Sequence, residues 1–331
     1  MALPVPRRVL AAPVGGLPRK IADALRRNVG VGSTLLLVLL FFSLTQPTFF
    51  TQQNVLNILR SNTVLLLAAL GMTLVILGGC FDLSIESIAA LAGVLLAVQV
   101  RSGVPAEVSI LSTILVSGVL GYVVNGLVIG RLKFNFFVVT LGTLAIFRGF
   151  ALIFSNGVSL STFDWPLIQF VGDGNLGVVP VPVAIAAVLY LLAYIALRRL
   201  KFGRVLYAVG GNPEAARLSG IDVAAVRTMI YGLSGLMAGI AGVVLAGRLS
   251  SAQPVTGAVG LSLQAGAAVL LGGTSFAGGQ GGVVGTIIGV LYIGVLQNGL
   301  SIAGVQTFWQ QVATGAILLL AIAFDRLKKT V

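Results

Sequence analysis

The chain has no histidine, a single cysteine and very little charge: only 9% of its 331 residues are Asp, Glu, Lys or Arg. With Cys80 alone, no disulfide forms within the chain, and without histidine no His/Cys metal site can be assembled. Cys80 follows Gly78 and Gly79 in an apolar run and reads as a small packing residue. No GxxxxGK sequence followed by Ser or Thr occurs, so the chain carries no phosphate-binding loop of that kind, and nucleotide energy would have to enter through another subunit. No set of metal ligands or nucleophile and base supports an integral-membrane enzyme. The scarcity of charge excludes most. A soluble domain carries about 25% charged residues, whereas this chain is 57% hydrophobic with a mean hydropathy of +1.05. A soluble fold so apolar has too little polar surface to cover itself, so its solvent is lipid.

What is there is a series of apolar runs. A membrane helix needs about 20 such residues. Candidate spans are 31–47, 60–79, 84–100, 108–130, 136–154, 178–197, 226–247, 261–273, 281–300 and 305–324, with 261–273 too short to cross unaided. The net charge of +12 sits in short loops between these runs, which positive-inside topology explains and nucleic-acid binding does not. An inside N-terminus puts seventeen basic residues inside, and only Arg60, Arg101 and Arg248 outside. The expected fold is therefore an all-α membrane protein of about ten helices with both termini cytoplasmic. Residues 1–30 form a basic cytoplasmic tail, not a cleaved signal, and 31–331 form the membrane domain, with a cytoplasmic segment at 198–226.

Two places break the helical pattern. Residues 78–84 pair two glycines and then offer Asp82 as an N-cap; residues 272–282 carry glycine too densely for a helix. Unsatisfied backbone in lipid costs several kcal/mol per group, so such segments survive inside the bundle or along a wet pathway. The alternative is a pair of glycine-rich loops at the membrane surface. Asn125-Gly126-Leu127 recurs as Asn298-Gly299-Leu300 on the opposite face, as an inverted repeat would have it, whereas Leu-Gly-Gly at Leu77 and Leu271 falls on one face.

The stretch Lys201 to Gly220, KFGRVLYAVGGNPEAARLSG, is a polar, basic island in this apolar chain. Asn212 is an N-cap, Pro213 suits the first helical position, Glu214 meets the positive end of the helix dipole and Gly220 stops the helix. The expected apolar face is Ala215 and Leu218, the charged face Glu214 and Arg217. So short a helix is marginal alone and suits a partner's groove.

GGNPEAARLSGI with KFGR before it resembles the coupling segment of permease subunits of bacterial ABC importers of the ribose-type monosaccharide class. The same family is resembled by GMTLVILGGCFDLSIESIAALAG (71–93), NGLVIGRLKFNFFVVTLGTLAIFRG (125–149) and LLGGTSFAGGQGGVVGT (270–286), in order from about residue 50 to 325. The resemblance implies a plasma (inner) membrane channel of two permease subunits, either a homodimer or a paralogous heterodimer. It implies ATP-binding cassette subunits that hold ATP and Mg and grip the coupling helix, and a substrate-binding protein outside. It assigns the ATPase contact to Gly211, Asn212, Pro213, Glu214, Ala215, Ala216, Arg217 and Ser219. No cofactor is implied in this chain. Glu86 stands where the family pattern has a small residue, and Ser262 and Gln264 where an acidic pair is common.

Passage of a sugar calls for weak, multiple hydrogen bonds and a few flat apolar surfaces. Candidates for the pathway or gate are Asn62, Phe81, Asp82, Glu86, Asn125, Asn135, Thr140, Thr143, Arg148, Gln264, Thr274, Ser275 and Asn298. For each polar residue, helix-to-helix hydrogen bonding is the competing role. Asp82 and Glu86 share a face if the helix begins near Asp82. Arg148 either lines the pathway, binds loose carbonyls or reaches outward past Phe154. Phe134, Phe136 and Phe137 read as an interfacial anchor. Few intramembrane acids and a dedicated polar helix disfavour an ion-coupled secondary transporter. Nucleosides, branched-chain amino acids and a furanone signal stand as rival solutes.

Overall fold

The computed structural model describes residues 32–255, 258–306, 308–310, 312–313 and 315–316. In chain order the helices are α1 (Gly32–Thr45), α2 (Gln52–Leu77), α3 (Ile85–Arg101), α4 (Ala106–Gly130), α5 (Phe136–Ser155), α6 (Pro166–Asp173), α7 (Val181–Arg199), α8 (Lys201–Gly211), α9 (Pro213–Leu218), α10 (Val223–Arg248), α11 (Leu261–Leu271) and α12 (Val283–Ile302). Nine of the ten predicted stretches carry a helix; the tenth, 305–324, lies largely outside the described residues. Among the described residues, six helices (α2, α4, α5, α7, α10 and α12) are long and apolar enough to cross a membrane. The described architecture is all-α but for four two-residue strands, β1 (Leu160–Ser161), β2 (Asn175–Leu176), β3 (Val179–Pro180) and β4 (Ser251–Ala252). They pair antiparallel as β1 with β4 and β2 with β3.

A helix apolar on every side belongs in an interior. From Asn62 to Leu77 every residue of α2 is buried, which makes α2 the axis of the bundle. The second central helix is α10, which packs on α2, α3, α4 and α6. Its buried side is mostly Gly, Ala and Ser, so neighbouring backbones come close, and close packing rather than hydrophobicity holds helices together in lipid. At the crossing with α4, a methyl group built on Gly235 would lie 3.1 Å from the Gly121 Cα. There α4 widens to a π-helical stretch, Gly121–Leu127, a local form that often marks function. By contrast α5 and α7 present rows of exposed Leu, Ile, Val and Phe, the surface an apolar solvent demands.

Three local expectations are corrected. The second helix begins at Gln52, not near residue 60, because Thr51 caps it by accepting a hydrogen bond from the Asn54 amide, so Arg60 lies within α2 and not in a loop. The island is not a lone helix: its first half, Lys201–Gly211, is helical too, with Phe202, Leu206 and Tyr207 packed on the core. Finally α3 starts at Ile85 with Ser84 in the cap position, so Asp82 precedes the helix, while its carboxylate still accepts from the Ser84 amide at the helix start. Asp82 and Glu86 therefore do not share a helix face.

Candidate functional site

The short capped helix predicted from the island is present as α9. The Asn212 side chain accepts hydrogen bonds from the amides of Glu214 (3.1 Å) and Ala215 (2.9 Å), and Pro213 occupies the first turn, where no amide is needed. Gly220 closes the helix at φ +82°, a conformation that favours glycine. The Arg217 guanidinium pairs with the Glu214 carboxylate at 2.7 Å, in full solvent. That hydrogen bond and the charge of Arg217 hold the Glu214 carboxyl below its ordinary pKa of 4.5, and the same pair raises Arg217. The apolar face differs from the expected one. Ala216 is the residue turned into the protein, while Leu218 projects outward at 77% exposure. Pro213, Glu214, Ala215, Arg217, Leu218 and Ser219 thus form an open surface, with Ser219 Oγ donating back to the Ala215 carbonyl. Gly211 is exposed as well.

Both predicted breaks lie immediately beside this segment, and they meet. The Gly279 amide donates to the Leu77 carbonyl at 3.0 Å, joining the second break to the end of α2. The first break is mostly buried, whereas the second is buried at Gly272, Thr274, Ser275 and Gly278 and open at Phe276 and Gln280. Thr274 Oγ1 accepts from the Gly282 amide, and Ser275 Oγ from the Ala277 amide, so both hydroxyls shape the second loop.

Asp82 is fully buried. Its Oδ1 accepts from the Ser84 amide (2.9 Å) and the Ser84 hydroxyl (2.6 Å), and its Oδ2 from Ser234 Oγ on α10 (2.8 Å). Asn125, inside the π-helical stretch of α4, donates to Ser84 Oγ at 2.7 Å, leaving its own Oδ1 buried without a partner. Tyr231 on α10 donates to the Phe81 carbonyl at 3.0 Å. The first break is thus held from α4 and α10, which fits a structural joint.

Glu86 belongs to a second network. Arg148 Nη2 on α5 lies 2.6 Å from Glu86 Oε1, and Ser262 Oγ on α11 donates to Glu86 Oε2 at 2.9 Å. Arg148 thus turns to a carboxylate inside the bundle, a partner its sequence context did not offer, instead of reaching outward past Phe154. Its Nε is buried without a partner, while the side chain as a whole is 30% exposed. Two of the positions at which the chain departs from the resembled pattern, Glu86 and Ser262, touch each other here. Gln264, the third, is half-buried two residues further along α11.

Phe137, expected as an interfacial anchor and 40% exposed, also has partners inside the protein. Its ring stacks on Phe81 (5.9 Å) and on Phe276 of the second break (6.4 Å), and Phe81 also meets Phe276 (6.1 Å). This trio joins α5 to both breaks, and sequence spacing carries no signal for it. The remaining candidates make the following hydrogen bonds. Asn135 caps α5 by accepting from the Phe137 amide, and the Thr140 and Thr143 hydroxyls donate to carbonyls of their own helix. Asn62 donates to the Ile58 carbonyl within α2. Asn298 exchanges amide hydrogen bonds with Asn54 at 2.9 Å each way, tying α12 to the far end of α2.

A family model described as the branched-chain amino acid transport system permease component matches residues 54–322. The chain belongs to this permease family. Three similar permeases are known by name. The ribose import permease protein RbsC of Bacillus subtilis is 40% identical over 92% of this chain and 95% of its own length. The D-allose transport system permease protein AlsC of Escherichia coli is 38% identical over 88% and 89%. The L-arabinose ABC transporter permease protein AraH of Azospirillum brasilense is 36% identical over 91% and 88%. No solved structure matches the chain. As a permease of this family with six apolar helices of crossing length, it is a multi-pass inner-membrane protein.

Proposed function

We propose that this permease is the membrane subunit of an ATP-driven importer that moves a monosaccharide or a polyol inward. ATP and Mg bind in partner subunits, and the chain itself catalyses no reaction. The observation that carries this reading is α9: a capped helix, exposed on every side but Ala216, joined through Asn212 to the helix α8 on which two broken segments of an otherwise apolar bundle are seated. The named relatives, permeases for ribose, allose and arabinose, support the sugar class over nucleosides, a furanone or branched-chain amino acids.

In this reading Gly211, Asn212, Pro213, Glu214, Ala215, Arg217 and Ser219 meet the ATPase, with Leu218 as their apolar contact and Ala216 anchoring the helix. The Arg148–Glu86–Ser262 network and the Phe81, Phe137, Phe276 trio bound the route of the solute. A second permease, identical or paralogous, completes the channel across the exposed apolar faces, and a binding protein delivers solute from outside. Ten spans with both ends cytoplasmic match the distribution of Lys and Arg.

The test is uptake in proteoliposomes holding the permease, its ATPase subunits and binding protein. Sugar uptake that requires ATP inside is expected. Uptake driven by an ion gradient, with no ATPase present, overturns the reading. Sidedness is checked separately in a Cys80→Ala background: a cysteine at Ser219 should label only from the cytoplasm, and one at Val178 only from outside.

A further inference from the structure

The glycine at 210 is buried at the meeting point of three chain segments. A methyl group built on it would overlap the Leu77 carbonyl oxygen and stand 2.6 Å from the Gly279 amide nitrogen. Those two atoms are the partners of the hydrogen bond that joins the two breaks. Around this point α8 makes three further contacts. Leu206 reaches the space beside Gly78, Tyr207 donates from its hydroxyl to the Gly281 carbonyl at 2.9 Å, and the Gly211 backbone lies against Gly279. The underside of both breaks is therefore seated on a single helix.

That helix has no slack toward α9. Asn212 is at once the residue that ends α8 and the cap of α9, so one residue separates them. On the other side the Ile221 amide donates to the Ala216 carbonyl, and Asp222 caps α10 through the Ala225 amide. From α10, Ser234 and Tyr231 hold Asp82 and Phe81. A displacement of α9 has two short, packed routes to the first break and one to the second.

We infer that Gly210 is a positioning residue for transport: it seats α8 against the joined breaks so that force received at α9 moves Leu77–Gly79 and Gly278–Gly281 as one body. The inference rests on the transport function proposed above. Glycine is required there because the fit is backbone on backbone, and any side chain would part the Leu77 and Gly279 strands of the joint.

The experiment compares ATP hydrolysis and sugar uptake by Gly210→Ala in the reconstituted complex. Hydrolysis should stay within about twofold of the parent while uptake per ATP falls roughly 10-fold, a loss of coupling in the usual range for linked sites. A proportional fall of both with the amount of inserted protein, or unchanged uptake, overturns the inference. Tyr207→Phe removes one hydroxyl and little packing, so it serves if Gly210→Ala does not insert. It should lower uptake per ATP by about half with hydrolysis retained, and an unaltered ratio overturns the inference. A Thr73→Cys, Thr286→Cys pair in a Cys80→Ala background fixes α2 to α12, whose hydroxyls stand 2.7 Å apart. Parts that move as one body tolerate the cross-link, and transport blocked by oxidation and restored by reductant overturns the inference. A parent complex with no ATP-driven uptake overturns the transport reading, and with it this joint, before any variant is compared.

Discussion

Arg148 and Glu86, 62 positions apart in the chain, lie 2.6 Å apart in the bundle, and Ser262 donates to the second oxygen of Glu86 from a third helix. A carboxylate in a membrane interior is costly unless paired, so each partner makes the other tolerable.

Glu86→Gln removes the charge and keeps the shape. The loss should fall between that of an exposed pair and that of a fully buried one, about 2 kcal/mol, because Arg148 is partly open. Denaturation in detergent measures it. The double variant with Arg148→Gln should recover part of the loss, since no orphaned cation is left.

Asn212→Ala deletes the side chain that satisfies two amides of α9 and should cost that helix about 1 kcal/mol. Hydrogen exchange should rise across residues 212–219 and stay unchanged in α10. Equal exchange in both proteins would show that packing on α8, not the cap, orders α9.

The Glu214 carboxyl titrates below its ordinary value because Arg217 stabilises the charged form. A depressed folded pKa means that the pair contributes above the unfolded value and is lost as pH falls through the folded one. The pair is thus intact at neutral pH and dissolves only in acid, below the usual carboxylate range. Arg217→Ala should return the Glu214 midpoint to near 4.5, read by NMR titration of the labelled carboxyl. Glu214→Arg and Arg217→Glu should each uncouple hydrolysis from uptake while the chain still inserts; normal coupling in both would detach α9 from the ATPase.

At the crossing of α4 and α10, Gly235→Ala drives a methyl group into the Ser117 carbonyl and toward Gly121. Overpacking of this kind costs about 2 kcal/mol. It should lower thermal stability, with no comparable effect from Gly142→Ala, whose added methyl meets nothing within 4 Å.

Asn298→Ala breaks the reciprocal amide pair with Asn54. Interhelical hydrogen bonds in lipid average about 0.6 kcal/mol, so stability should drop slightly and uptake should not change. A specific loss of uptake would move Asn298 back into the pathway.

Local signals were legible and distant ones were not. Asn212, Pro213 and Gly220 announce α9 because capping chemistry is decided within a few residues. The paired glycines announce both breaks for the same reason. That the breaks touch, that Phe137 stacks on Phe81 and Phe276, and that Glu86 finds Arg148 and Ser262 all depend on how helices cross, which no spacing encodes. Asp before an apolar run commonly caps a helix, and one oxygen of Asp82 does serve Ser84 at the start of α3; that the other is held by Ser234 on α10 depends on packing. Leu218 was taken for an inward residue by helical periodicity, yet a helix one and a half turns long buries only what its neighbours reach, here Ala216. The helix α8 escaped notice because Lys201 and Arg204 gave it the look of a loop, while Leu206 and Val209 seat it on the core.

The burial of α2 on all sides constrains how the protein is made. This helix leaves the ribosome early, apolar enough to partition into the bilayer, yet its finished form touches almost no lipid beyond Asn62. Its neighbours α10, α11 and α12 are synthesised only after a large part of the chain has followed. Biogenesis must therefore hold an unfinished centre open and close the later helices around it.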